Sequence, residues 1–203
     1  MEGIMLQVDQ TVLRSAIAVD RRRFIVGAAS LATAAAWPVR LWAAEAPFSF
    51  KQGDFEVSVV SDGHLTLPSN VFAGDAPPEE RKALLDAAGL GGENIMPAAN
   101  PVVIRAGSDV ILFDTGSGTS FQPTAGKLIE NLTAAGIDPA GITKIVISHG
   151  HLDHLGGTSA DGAVKFPNAS YYAGAAEWEF WTNPDLINQM PPEMHDFVKG
   201  AQT

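Results

Sequence analysis

Hydrophobic and polar positions along the chain follow two periods, and each period predicts an element. Phe55, Val57 and Val59 alternate with Glu56 and Ser58, a period of two that predicts a strand through Ser61, ended by a turn at Asp62-Gly63. Pro77-Pro78-Glu79-Glu80 opens a helix, with proline in the first turn and acids at the positive end of the dipole; it carries Leu84 and Leu85 and stops near Gly89. Pro101–Arg105 and Val110–Phe113 are two β-rich runs around Gly107-Ser108-Asp109, the pattern of a hairpin, and the second run ends in Asp114-Thr115-Gly116. Leu128, Ile129 and Leu132 share one helical face between Pro123 and Gly136. Ile145-Val146-Ile147 is continuously apolar and β-branched, which predicts a buried strand. A strand at Ser170-Tyr171-Tyr172, a helix over Ala175–Trp181 and a last helix after Pro191-Pro192 complete the series. Strands joined by both hairpins and helices predict an α/β layered domain.

The first 46 residues break this pattern. A polar stretch ends in Arg21-Arg22-Arg23, and the 14 residues Phe24–Trp37 carry no charge and are rich in alanine. A bilayer span needs about 20 residues, so this run predicts no stable membrane anchor. A basic region, a short apolar run and small residues (Ala43-Ala44-Glu45-Ala46) form a secretory pattern, and Asp20–Ile25 resembles a twin-arginine export signal. A buried or amphipathic helix over residues 24–42 is the other reading, although three arginines at its start would oppose the helix dipole. The expectation is an export signal over residues 1–46, a domain over residues 47–203, and a periplasmic or secreted location.

Composition narrows the chemistry. The chain has 203 residues, of which 46% are hydrophobic, enough for one domain with a core. It has no cysteine, which excludes disulfides, thiolate metal sites and a cysteine nucleophile. A net charge of −10 argues against nucleic acid as a partner and says little about the substrate.

Three of the five histidines, His149, His151 and His154, fall within six residues together with Asp153, directly after the buried strand. Gly150, Gly156 and Gly157 mark the segment as a loop with tight turns. In extended chain, residues two apart point the same way, so His149 and His151 can converge on one ion. Asp153 and His154, past a bend, can face a second. Imidazole and carboxylate suit zinc, and also manganese- or iron-like ions. The alternative is a solvated cluster with no ligand, at the cost of mutual repulsion whenever the imidazoles protonate.

His149-Gly150-His151-Leu152-Asp153-His154 resembles the H-x-H-x-D-H signature of the metallo-β-lactamase-fold hydrolases, and Asp114-Thr115-Gly116 matches a second recurring feature of that superfamily. Gly53–Val57, Ser61-Asp62-Gly63, Phe113–Gly116 and Phe166–Ala169 resemble the secreted methyl parathion hydrolase and lactonase-like branch, over roughly Gly53 to Trp181. The resemblance implies an αββα sandwich and a pair of divalent ions, expected to be zinc. It implies that His149 and His151 hold the first ion, and that Asp153, as ligand and catalytic group, holds the second with His154. It places Asp114 beside the ligand loop, orienting it, where the other reading is a strand-end turn residue. It sets Phe121 and Trp181 over the substrate, where the other reading is core packing. His64 reads as a turn residue and His195 as a helix-surface residue. The implied reaction is hydrolysis of a small-molecule substrate, an ester, lactone or phosphotriester, by metal-activated water. A β-lactamase or thioester hydrolase on the same fold, or a non-catalytic metal-binding module, are the alternatives.

In that family further ligands come from the second half of the fold. Here only His195 lies beyond the signature, in a context unlike the family's G-H-T-x-G-H segment. The expectation is therefore the N-terminal half of the sandwich, with weak metal binding, little hydrolysis, and apolar surface open to a missing half or to association.

Overall fold

The computed structural model describes residues 46–160 and 162–202. The export signal expected over residues 1–46 lies outside the described residues, apart from Ala46 itself. Six strands form one sheet in chain order: β1 (Phe48–Gln52), β2 (Phe55–Val59), β3 (Val102–Ala106), β4 (Asp109–Phe113), β5 (Lys144–Ile147) and β6 (Ser170–Ala173). The first four are antiparallel, and β4, β5 and β6 run parallel. The hairpin and the buried strand stand where the hydrophobic pattern places them. Strand β1 was not expected from the pattern: its five residues are all exposed, so no buried face imposes a period on them.

Helices follow the predicted starts and stops. Helix α1 (Pro78–Ala87) has proline at its start and acids in its first turn, and Gly89 just past its end takes a φ of 72°. It buries no residue completely. Helix α2 (Leu128–Ala134) crosses between β4 and β5 and buries Leu128 and Leu132. The segment 149–157 was expected to be loop throughout; instead Leu152–Leu155 forms one helical turn, α3, with His151 as its N-terminal boundary. Helices α4 (Ala175–Trp181), α5 (Leu186–Gln189) and α6 (His195–Ala201) follow. They form a small core of their own around Trp181, Leu186 and Val198.

The main core lies on one face of the sheet. Val103, Leu112 and Ile145 are register partners across β3, β4 and β5, and they pack with Leu128, Leu132, Ile142 and Phe166. Because side chains alternate along a strand, the neighbouring row (Phe48, Val59, Val102, Phe113, Val146 and Tyr172) belongs to the opposite face. That face is apolar and open: Phe48 is 70% exposed and Tyr172 50%. Apart from this sheet, the described strands form two-residue ladders only, 63–64 with 98–99, 67–68 with 94–95, and 159–160 with 163–164. The described residues thus build one six-stranded sheet with its main core on a single face.

Candidate metal centre

Parallel pairing of β4 and β5 decides where the chemistry lies. Phe113 is the register partner of Val146, so both strands end at the same edge of the sheet. Asp114 leaves one strand and Ser148 the other, 34 residues apart in sequence and adjacent in space. The carboxyl ends of parallel strands are where α/β sheets place ligands.

Two loops interlock there through backbone. Thr115 N–H donates to the His154 carbonyl at 2.7 Å, and Gly157 N–H donates to the Gly116 carbonyl at 2.9 Å. A Cβ on Gly157 would lie 2.0 Å from the Thr115 carbonyl oxygen, so only glycine permits this approach. Asp114 takes a φ of 62°, a left-handed conformation rare outside glycine. In that conformation one carboxylate accepts three bonds: from Ser148 N–H at 2.7 Å, Ser148 Oγ at 2.8 Å and His154 Nδ1 at 2.8 Å.

The histidines form a compact group. Ring centroids of His149 and His151 are 4.5 Å apart, and those of His149 and His154 are 4.0 Å apart. Ser148 Oγ lies 3.0 Å from His149 Nδ1. With its proton on Asp114, that oxygen accepts from Nδ1–H and leaves His149 Nε2 as the basic nitrogen. Burial, and then the nearby His154 and His151 charges, hold His149 below its ordinary pKa, in the neutral form a metal requires. His154 is the opposite case. Its hydrogen bonds to Asp114 and to Asp153 push its pKa up to about 9. Burial is the largest single influence on both carboxylates and raises their pKa, but the hydrogen bonds and nearby imidazole charge together outweigh it, those from His154 and Ser148 at Asp114 and those centred on His154 at Asp153, and each ends below the usual range.

The donor set suits a divalent cation in kind. As they stand, however, no group of three or more His, Asp or Glu side chains among the described residues is arranged to hold one. His154 Nε2 and Asp153 Oδ2 face each other at 3.2 Å. The His149 ring lies close to both of the other two, slightly nearer to His154 than to His151. The other histidines are placed elsewhere. His64 pairs with Ala98 in a short ladder rather than forming a turn, and His195 is half-buried with Nε2 3.1 Å from the Met190 carbonyl.

An aromatic wall stands beside His151. Trp181 and Phe197 both meet its ring edge-on, at 5.9 and 5.4 Å, and Phe121 reaches Phe197 at 6.4 Å. On another side a cavity of about 210 Å³ runs from Leu65, Leu67 and Pro97 to Asp114, Asp153 and His154. A larger open concavity of about 400 Å³, lined by Lys51, Asp54, Glu56 and Arg105, lies at the other end of the strands, away from the histidines.

Four contributors escaped the sequence reading. Phe197 comes from the last helix, and no spacing links it to His151. Ser148 directly precedes the histidine segment and was given no role. Glu177 accepts from Gly150 N–H and from Trp181 Nε1–H, both at 2.9 Å; its spacing of four from Trp181 was the available signal. Asp62 was read as a turn residue. It is fully buried, and its carboxylate accepts from the N–H groups of Ser117, Gly126 and Leu128 at 2.8, 3.2 and 2.9 Å. That carboxylate fixes the loop carrying Phe121.

Residues 96–196 match the metallo-beta-lactamase superfamily. The hydrolase AbOPH of the beta-lactamase superfamily superposes with a TM-score of 0.70 at 28% identity, over 77% of this chain and 54% of that one. AidC, a dizinc quorum-quenching lactonase, superposes with a TM-score of 0.64 at 28% identity, over 77% and 59%. The N-acyl homoserine lactonase AttM of Agrobacterium fabrum is 37% identical over 83 residues, 36% of this chain and 30% of that protein. The chain thus spans little more than half of these solved relatives. Curated relatives are matched over 10–30% of their length, and their names range from a competence protein to a ribonuclease and lactonases.

Proposed function

From the premise that this chain belongs to the metallo-beta-lactamase superfamily and has its fold, we propose that it is a metal-dependent hydrolase acting on an ester, lactone or phosphotriester. The observation that carries this reading is the packing of His149, His151, His154 and Asp153 into one cluster at the ends of two parallel strands. His149 and His151 would hold one cation, and His154 and Asp153 a second, with zinc the expected metal given a dizinc relative. Bound divalent cations supply Lewis acidity and lower the pKa of water toward neutrality.

The chain's own residues supply the rest. Asp114 keeps His154 Nδ1 protonated and so directs Nε2 toward a ligand. Ser148 does the same for His149. Phe121, Trp181 and Phe197 offer an apolar wall for the body of a substrate beside His151. The slot at Leu65 and Leu67 offers a second apolar subsite that ends on Asp153 and His154. Two relatives named as lactonases support the substrate class.

The test is zinc uptake and turnover by the full chain against its H149A and H154A variants. The panel is an N-acyl homoserine lactone, an aryl phosphotriester and a penicillin. Zinc uptake lost in both variants, with turnover of the lactone or phosphotriester, supports the reading. Equal uptake in all three proteins rejects the ligand assignment, and turnover of the penicillin alone rejects the substrate class.

A further inference from the structure

The backbone between His149 and His151 is held by a contact that lies outside the donor set. Gly150 is buried, and its amide is the only N–H between the two histidine residues. That amide donates to Glu177 Oε2 at 2.9 Å, and the same oxygen accepts the Trp181 indole N–H at 2.9 Å. Glu177 and Trp181 sit four residues apart on α4 and so share one helix face. The indole lies close against the Gly150 backbone: a Cβ there would fall 2.1 Å from Trp181 Cδ1. The same indole meets the His151 ring in a near-perpendicular contact, 5.9 Å away at 81°. One carboxylate oxygen therefore ties the peptide between the two histidines to the aromatic surface on which the second one rests.

We propose that Glu177 is a positioning residue: through the Gly150 amide and the Trp181 indole it fixes the relative orientation of the His149 and His151 side chains, and so sets how tightly that pair takes up a divalent cation. This rests on the reading of His149 and His151 as ligands, and extends it to a residue 26 positions beyond His151. A merely helix-stabilising acid would need only to sit in the first turn of α4. Glu177 instead accepts two donors on one atom, one of them from a different segment. Removing the carboxylate leaves a buried amide without its acceptor and frees the indole to rotate.

The experiment uses the full chain. Zinc binding is measured by calorimetry and by tryptophan fluorescence for wild type, E177A, E177Q and E179A, and hydrogen exchange of the Gly150 amide is followed by NMR. E177A is expected to weaken zinc binding by about 10–100-fold, the usual effect of losing a partner that orients ligands, and to speed Gly150 exchange. E177Q retains a carbonyl oxygen able to accept both donors, so it is expected to bind zinc as wild type does. Glu179, exposed on the same helix, serves as the control, and E179A is expected to change neither readout. Wild-type affinity in E177A overturns the proposal, as does a loss in E177Q or E179A equal to that in E177A. If E177A does not fold, E177D, one methylene shorter, is read by the same criteria. If the wild-type chain takes up no zinc, the ligand reading fails on its own; Gly150 exchange then decides the clamp, faster exchange in E177A supporting it and unchanged exchange overturning it.

Discussion

At His154 a proton and a cation compete for one nitrogen. Nδ1–H is committed to Asp114, so Nε2, facing Asp153, is where one must replace the other. In the metal-free chain the pKa is raised from 6.5 to about 9. A raised pKa adds stability that is fully present below the unfolded value and is lost as pH rises through the folded one. The thermal midpoint of the chelator-treated chain should therefore fall between about pH 6.5 and 9, while zinc affinity rises over the same window. Melts of wild type and H154Q across that range check this, the variant losing the slope. Asp62 is the second decisive residue. Substituting asparagine turns a donor group toward amides that need acceptors, and each orphaned N–H costs about 1–3 kcal/mol. D62N should lower unfolding stability by at least that much in a urea titration, although the residue touches no histidine.

Between elements, the decisive contact is loop against loop. Residues 114–118 and 154–158 join through backbone hydrogen bonds, and Gly157 allows them to touch. G157A should separate them, with a loss of about 1–3 kcal/mol, the usual range for overpacking, and a parallel drop in zinc uptake. Calorimetric melts and zinc titrations of the variant measure both. The one-turn helix α3 depends on the same junction: four residues are too few to hold a helix on propensity alone. The Thr115 bonds to the His154 carbonyl, from both its N–H and its hydroxyl, tie down the end of that turn.

For the whole molecule, the open sheet face is the conspicuous physical feature. Phe48 and Phe50 share that face, 70% and 43% exposed, with rings 5.8 Å apart. Exposed apolar patches of this kind drive association. Sedimentation velocity of the chain should show a concentration-dependent shift that the F48S/F50S double variant reduces. The leader makes a separate prediction. If Arg21–Arg23 direct twin-arginine export, a fusion of residues 1–46 to a reporter should reach the periplasm of a bacterial host, and R21K/R22K should retain it in the cytoplasm. Among the described residues no helix is long and apolar enough to cross a membrane.

Much of this was legible in the order of residues. Hydrophobic period placed the β3–β4 hairpin, strand β5 and helices α1, α2 and α4, because each buries a face or carries its own stop signal. The concentration of imidazole and carboxylate after a buried strand marked where chemistry would lie, because ligand types are local information. Only the tertiary structure decided which groups meet. Asp62 reaches amides 55 to 66 residues away, Glu177 reaches Gly150, and Phe197 reaches His151, all by contacts that no spacing encodes. It also decided that His154 faces Asp114 with one ring nitrogen and Asp153 with the other, since that depends on the distances between side chains rather than on their order.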